Sequence, residues 1–487
     1  MKKLFVCCAL FLAYCVSACT LLPKAAHLPH SLAYYQLRIE YSTTSDWTTL
    51  ELGDTSNILS MKLVEKLGNS TTAEVYPRTL IVNQPINNSQ HGQVSGMTVD
   101  YVVSPQVVLH PFPIVLRKGD IGECTLRIYM VINGHRQLIL ENTHEGVIED
   151  SDGENPLFLE IDFGELKDIS SLRTKIRRPI RKMLWAFYYS WYSLSDWSSL
   201  ELSDRPKKPY DSRNPEAIAR HIEQAQHVGI DGFIASWWGP PDRSLELLLH
   251  LAQERGFSVS IYLEIMKNGG PLSEDEIFQW LVYAIDEYGQ HPAFFKVNGK
   301  PVIVIWASKE VPLNTWKSIF SRLRQQGKDA FFLGDGYDMS NLTVFDGVHE
   351  YGVFDGPSVV DIYQSMARAI RNYLLFDDSS EEMKIWAATA QPGYDDRLIP
   401  GREGFFQDRQ NGQFYRSTFE AALKSDPDWI FITSWNEWPE HTYIEPSELY
   451  GDLYLQITHE FAIRWKGIID ANRRLTSTSA TRGRLQP

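Results

Sequence analysis

The chain has 487 residues, with 47 Lys and Arg against 61 Asp and Glu, a formal net charge of −14 and 43% hydrophobic residues. That is enough apolar residue to bury a sizeable core, which excludes a disordered chain, and at about 150 residues per domain it allows three domains, or two if one is a barrel. The acidic balance, without a long basic block, excludes a sequence-independent nucleic-acid binder, which needs cationic surface to displace counterions, so no nucleic-acid partner is expected.

Residues 1–18 read as an address. Met1-Lys2-Lys3 precedes an apolar run over 4–16 and then Val16-Ser17-Ala18-Cys19, the charged start, short apolar middle and small-residue cleavage site of a secretory signal. The run is too short to span a bilayer permanently. Cys19 after Ser17-Ala18 resembles the lipobox of bacterial lipoproteins, in which that Cys is acylated and becomes the new N-terminus; Val16 stands where Leu is commoner. The expectation is an exported protein of the bacterial cell envelope, tethered to a membrane through lipid on Cys19. Cys7, Cys8, Cys15 and Cys19 all lie in this segment, so Cys124 is alone in the body, forms no internal disulfide and reads as a small buried hydrophobe.

Over 30–165 apolar and polar residues alternate in short runs, such as Leu37, Ile39 and Tyr41, or Leu126, Ile128, Met130 and Ile132. Period-two alternation predicts half-buried strands. Asn133-Gly134 between two runs is a hairpin signal, and the whole reads as a β-sandwich serving as a carbohydrate-binding or spacer module. Asp150-Ser151-Asp152-Gly153-Glu154 has too few ligands for a calcium loop and reads as a solvated turn. Residues 166–182, with Arg173, Lys175, Arg177, Arg178, Arg181 and Lys182, read as a basic linker, and 471–487 as a polar tail.

Between them, over 183–470, strand and helix alternate. Asn214 before Pro215 caps a helix with Ile218, Ile222 and Ala225 on one face, Asp242 opens another, and Ser273 with Glu276 forms a capping box for a third. Apolar runs fall near 184–189, 231–236, 257–263, 301–306, 329–333, 344–348, 384–389 and 429–434. Eight such runs predict an α/β fold, a (β/α)8 TIM-type barrel whose active site sits at the carboxyl-terminal strand ends. A doubly wound sheet is the alternative, but Tyr188-Tyr189-Ser190-Trp191-Tyr192 is no Gly-rich phosphate turn. Ser45-Asp46-Trp47-Thr48-Thr49-Leu50-Glu51-Leu52 and Ser195-Asp196-Trp197-Ser198-Ser199-Leu200-Glu201-Leu202 are nearly identical, yet fall in the two different bodies.

Reading each strand to its end gathers aromatics and carboxylates: Tyr188, Tyr189 and Trp191; Trp237 and Trp238; Glu264; Trp306; Asp335; His349 with Glu350 and Tyr351; Gln391 with Tyr394; and Trp435-Asn436-Glu437-Trp438-Pro439-Glu440. Rings stack on sugars and paired carboxyls donate and accept protons around an oxocarbenium-like transition state, so this combination suits glycoside chemistry. For any single Trp or Glu, packing or a surface ion pair is an equal reading. For Glu437 and Glu440 together it is the weaker one, because barrel strand ends carry catalytic groups.

Here the chain resembles glycoside hydrolase family 99, the endo-α-mannosidases and mannanases, over about 186–455. The motifs are Phe187-Tyr188-Tyr189-Ser190-Trp191-Tyr192, His221 and Gly229-Ile230-Asp231-Gly232 leading to Ser236-Trp237-Trp238, Tyr288-Gly289-Gln290-His291-Pro292, Pro392-Gly393-Tyr394-Asp395, and Ser434-Trp435-Asn436-Glu437-Trp438-Pro439-Glu440-His441-Thr442 with Ile444-Glu445. The resemblance implies a retaining endo-acting glycosidase on α-linked, mannose-type glycan or polysaccharide. Glu437 would act as base on the sugar 2-hydroxyl and Glu440 as general acid and base at the glycosidic oxygen, through an anhydro-sugar intermediate. Tyr188, Tyr189, Trp191, Trp237, Trp238, Glu264, Trp306, His349, Tyr394, Trp435, Asn436, Trp438 and Glu445 would bind substrate. The chain has Pro439-Glu440-His441 where the family commonly has His-Glu-Gly, and Glu264-Ile265-Met266 where it has Glu-Pro-Tyr. The sequence carries no metal-ligand pattern such as His-x-His, and neither cofactor nor metal is expected. Asp426-Pro427-Asp428 is similar to the Asp-x-Asp of metal-dependent glycosyltransferases but precedes the eighth strand, on the far face. Two other readings stay open: a glycosyltransferase-like relative in polysaccharide biosynthesis, and a non-catalytic surface glycan binder.

Overall fold

The structure is a computed structural model and describes residues 34–45, 47–52, 58–68, 72–83, 94–104, 112–118, 122–132, 135–145, 157–161, 180–267, 269–353, 359–373 and 384–467. Cys19 and the whole of 1–18, Asn133-Gly134, 150–154, most of the basic linker and the 471–487 tail lie outside the described residues.

Among the described residues ten strands form the N-terminal body: β1 (Tyr35–Thr43), β2 (Trp47–Leu52), β3 (Ile58–Leu67), β4 (Thr72–Val75), β5 (Thr79–Asn83), β6 (Ser95–Val103), β7 (Phe112–Lys118), β8 (Glu123–Ile132), β9 (His135–Glu145) and β10 (Leu157–Ile161). They make two antiparallel five-stranded sheets, ordered β3-β6-β1-β8-β9 and β10-β7-β2-β5-β4. Alternate residues of β1 are buried, and Leu37, Ile39 and Tyr41 share one core with Leu50, Leu80 and Leu116 of the other sheet. Cys124 is a free, buried thiol in that core.

The second body is a closed barrel. Its strands are β11 (Met183–Tyr188), β12 (Gly232–Trp237), β13 (Ser258–Glu264), β14 (Lys300–Trp306), β15 (Phe331–Asp335), β16 (Gly347–His349), β17 (Ile385–Ala390) and β18 (Trp429–Ile432). Every neighbouring pair is parallel, and β13 with β14 and β18 with β11 complete the ring. Helices α1 (Pro215–His227), α2 (Arg243–Glu254), α3 (Glu274–Tyr283), α4 (Leu313–Gln325), α5 (Val359–Arg371), α6 (Gln413–Lys424) and α7 (Leu453–Lys466) surround it. The predicted caps form: Asn214 Oδ1 accepts from Glu216 N at 2.8 Å, Asp242 Oδ1 from Ser244 N at 2.9 Å, and Ser273 and Glu276 close their box.

Between β15 and β16 the connection is only a 3₁₀ turn, Met339–Thr343, which cannot cover the two strands as a helix would. The sandwich covers that flank instead. Ser60 Oγ donates to Ala369 O at 2.6 Å, Asn372 Nδ2 to Leu59 O at 3.2 Å, and Val75 N to Asp338 Oδ1 at 3.1 Å. The edge strands β3 and β4 of the two sheets are thereby shielded from further strand pairing. The sandwich is a wall of the barrel as well as a neighbour to it.

Candidate active site

In a strand, side chains alternate between the two faces, and here one face looks into the barrel and the other into the helix layer. Inside, rings fill the lower layers: Trp185 packs on Phe295 and Trp429, and above them Phe187, Tyr262, His349 and Phe431 make a second aromatic tier. The same phase carried to the strand ends places Tyr189, Ser236, Glu264, Trp306, Asp335 and Tyr351 around the mouth.

Glu437 and Glu440 lie on the loop after β18, which folds back on itself. Trp435 N donates to Phe187 O at 2.8 Å, Ser434 N to Thr442 O at 2.8 Å, and Glu437 N to Ser434 Oγ at 2.8 Å. Asn436 locks the loop to β11: its Oδ1 accepts from Tyr189 N at 2.8 Å, and its Nδ2 donates to Tyr189 O at 2.7 Å and to Tyr210 Oη at 3.0 Å. Tyr192 Oη donates to Asn436 O at 2.9 Å and accepts from Trp438 N at 3.1 Å. The carboxyls therefore stand on a fixed backbone, which reacting groups require.

Their electrostatics differ. Glu437 is 5% exposed and its Oε2 has no hydrogen-bond partner among the described residues. Burial pushes its carboxyl well above the usual range, and the charges of Glu440 and Glu264 push further. Burial also raises Glu440, but Arg402 counters: its Nη1 donates to Glu440 Oε1 at 2.8 Å, to Asp396 Oδ2 at 3.0 Å and to Tyr394 Oη at 3.2 Å. Glu264 is pushed up to about 8 by burial, against the 2.7 Å hydrogen bond from Ser236 Oγ, with the Glu440 and Asp335 charges adding to the rise. Tyr189 and Tyr351, hydroxyl to hydroxyl at 2.7 Å, feel both Glu437 and Glu440. In the resting site a proton on Glu437 and a charge on Glu440 are favoured.

Several expected substrate contacts gather here: Tyr189, Glu264, Trp306 and Tyr394, with Trp191 and Trp238 offering open faces at 47% and 49% exposure. Trp238 Nε1 donates to Ser236 Oγ at 3.1 Å, tying that ring to Glu264.

Others lie elsewhere, and strand phase is the reason. Tyr188 faces the helix layer, stacks on Phe233 and meets His221 Nδ1 at 3.1 Å. Trp237, one residue out of phase with Ser236, packs on Trp280 and Tyr288. Trp435 is buried against His221 and Phe233, and Trp438 stacks on Tyr443 at 3.8 Å, so neither presents a face to a sugar. Glu445 is buried behind the loop, accepting from Tyr210 Oη at 3.0 Å and Trp438 Nε1 at 3.3 Å and facing His221 Nε2 at 3.0 Å. His349 is in phase but deep on the axis, where burial draws it down to about 3 and keeps it neutral. Asn436 supports the loop. Tyr188, Trp237, His349, Trp435, Asn436, Trp438 and Glu445 thus shape the site from behind.

Sequence reading placed Tyr351 at a strand end and Ser236 in a motif without giving either a role, which strand phase would have supplied, and it passed over Arg402 and Asp396. Arg402 and Asp396 sit on the long β17–α6 connection, where no periodicity marks them. Among the described residues no group of three or more His, Cys, Asp and Glu could hold a metal ion.

A closed (β/α)8 barrel with aromatics and buried carboxyls at its carboxyl-terminal mouth defines the glycosidase class of barrel. The model of glycosyl hydrolase family 99 matches residues 206–451, half of the chain, and the chain belongs to that family. It is similar to a glycoprotein endo-alpha-1,2-mannosidase-like protein of Homo sapiens, 28% identical over 293 residues, covering 52% of this chain and 62% of that one. It is also similar to a glycoprotein endo-alpha-1,2-mannosidase of Rattus norvegicus, 26% identical over 360 residues, covering 59% of this chain and 76% of that one. The chain thus spans about three-fifths of the human relative's length. Among solved structures, the GH99 endo-alpha-mannosidase from Bacteroides thetaiotaomicron aligns with a TM-score of 0.51 at 25% identity, covering 58% of this chain and 97% of that one.

Proposed function

We propose that the chain is a retaining endo-glycosidase acting on α-mannose-containing glycans, with Glu437 and Glu440 as the reacting pair. The observation that carries this reading is the pair itself, three residues apart on one locked loop, with both carboxyls raised above their ordinary range by burial and the charge of Glu440 pushing Glu437 further up, which favours a proton on Glu437.

The chemistry needs Glu440 protonated and Glu437 ionised. A sugar 2-hydroxyl beside Glu437 supplies the hydrogen-bond partner that Oε2 lacks, favouring charge there, and a glycosidic oxygen at Glu440 takes the place of Arg402. Glu437 then accepts the 2-hydroxyl proton as the 2-oxygen attacks the anomeric carbon, and Glu440 gives its proton to the glycosidic oxygen as the bond between that oxygen and the anomeric carbon breaks. In the return step water attacks the anomeric carbon and breaks its bond to the 2-oxygen, Glu440 takes a water proton, and the 2-oxygen regains its proton from Glu437. Two displacements retain configuration.

Glu437→Gln and Glu440→Gln are each expected to lower turnover on α-mannosides by about 10²- to 10⁴-fold while glycan binding and thermal stability persist. Near-parental turnover by either variant would overturn the assignment, with Glu264 or Glu350 next in line.

We also propose that the chain is exported and lipid-anchored at Cys19 in a bacterial envelope, supported by the Val16-Ser17-Ala18-Cys19 motif behind its apolar run. Labelling with a palmitate analogue tests it: Cys19→Ala should abolish incorporation and release the protein from membranes, and label persisting in that variant would refute the anchor.

A further inference from the structure

We propose that the cleft between the β-sandwich and the barrel is a glycan-binding site that continues the catalytic mouth and holds a part of the substrate chain remote from the bond that is cut. The sugar class rests on the glycosidase reading; the site rests on the shape and chemistry of the cleft.

The cleft has a volume of about 760 Å³, within the range of about 300–1,000 Å³ of small-molecule sites. Lys66, Glu74 and Tyr76 line it from the sandwich, and Lys309, Asp335 and Glu350 from the barrel. The barrel residues all come from the ends of β14, β15 and β16, so the cleft opens on the face that carries Glu437 and Glu440. It exists because no helix follows β15: β3 runs in that place, one end hydrogen-bonded to the last turn of α5 and the other, at Leu63–Lys66, forming the cleft wall.

Asp335 joins the two sites. It is 3% exposed, it lines the cleft, and its Oδ1 has no hydrogen-bond partner among the described residues. A buried, unsatisfied acceptor calls for a donor from outside the protein. Lys309 Nζ stands 4.0 Å from its Oδ2 and 3.9 Å from Glu350 Oε1, too far for good hydrogen bonds, so a hydroxyl placed between them can donate to a carboxylate and accept from the ammonium at once. Tyr76, whose Oη donates to Glu74 Oε2 at 2.6 Å, adds a ring on the opposite wall. Carboxylates outnumber lysines in the lining, which disfavours an anionic ligand, while a neutral polyol suits groups of both signs. Continuity with the mouth runs along the strand ends: Glu264 closes β13 beside Trp306 of β14, and Asp335 closes β15, the next strand of the ring.

The test uses the full chain and α-linked manno-oligosaccharides, one short and one long. In the catalytically silent Glu437→Gln background, titration calorimetry should give tighter binding of the long chain. Lys309→Ala, at a half-exposed position that leaves the fold intact, and Asp335→Asn, which keeps the shape of the buried group, should each lower the ratio of long- to short-chain affinity about tenfold, as expected for losing a charged hydrogen bond. In otherwise parental enzyme the same substitutions should lower the long-to-short ratio of kcat/KM. An active enzyme whose ratios are unmoved by both variants would overturn the cleft site and leave the glycosidase reading intact. Cleft-dependent binding of glycan without turnover of any α-mannoside would uphold the site and overturn that reading. Absence of both would overturn both.

Discussion

Arg402 Nη1 donates to Glu440 Oε1 at 2.8 Å, and the same nitrogen reaches Asp396 Oδ2 at 3.0 Å. One guanidinium, held from behind by a second carboxylate, thus favours charge on Glu440, while Glu437, buried and with no partner for its Oε2 among the described residues, favours the proton. Arg402 lies on the β17–α6 connection, outside the barrel strands.

Arg402 therefore sets where the pair titrates. Its positive charge lowers the pKa of both Glu440 and Glu437, so its removal raises both apparent values of the dyad. Arg402→Ala is expected to move the pH optimum of kcat/KM upward, with Arg402→Lys falling between the two. A profile that keeps its position while only its height changes would show that Arg402 serves substrate binding alone.

Glu264 predicts how stability depends on pH. In the folded chain it holds its proton up to about 8, whereas its unperturbed value is 4.5. Between those limits the folded state binds more protons than the unfolded state, so this group's contribution to stability is complete at low pH and declines as pH rises. Glu264→Gln stays neutral throughout. It should flatten the slope and raise stability near the upper limit by a few kcal/mol, on the order expected for a buried carboxyl. Melting temperatures across that window check this; a parental protein that gains stability with rising pH there would refute it.

Asn436 is expected to matter through position. Asn436→Ala removes three hydrogen bonds and leaves Tyr189 N and O without their partner, at a cost of about 1–3 kcal/mol. It should lower kcat more than it raises KM, because it loosens the backbone under Glu437. Unchanged kcat with a lowered melting temperature would confine it to folding.

The two bodies are expected to melt together. Ser60 and Leu59 of the sandwich bond to Ala369 and Asn372 at the end of α5, and Val75 bonds to Asp338 in the β15–β16 connection, where the barrel has no helix of its own. Calorimetry of the full chain should give one transition, and a chain starting at residue 175 should be less stable or insoluble. Two separate transitions, or a stable soluble barrel, would show that the shared face contributes little.

Much of this was legible in the sequence. All eight apolar runs between 184 and 434 are barrel strands, because a parallel strand buried on both faces is continuously apolar, and the caps at Asn214, Asp242 and Ser273 announce their helices by local hydrogen bonding alone. Glu437 and Glu440 stood out because paired carboxyls at a strand end have few structural uses. Which aromatic faces the mouth was not legible in a continuous run: Trp237 and Trp238 are adjacent letters, but the barrel's closure sets the phase that buries one and opens the other. Arg402 meets Glu440 across 38 residues of chain, a distance over which no local pattern operates.

The paired octapeptides mark the boundary. In the first, Trp47–Leu52 is a strand whose Leu50 lies opposite Leu80 and Leu116, its alternation matched by neighbours on both sides. In the second, Asp196–Ser199 is a short helix: Asp196 Oδ2 accepts from Ser193 N at 2.6 Å, and Trp197 is buried against Trp438 with its Nε1 donating to Tyr210 O at 2.6 Å. Eight nearly identical residues carry the same propensities in both places. What separates them is whether the fold offers a sheet to pair with or a pocket for one Trp ring beneath the loop that carries Glu437.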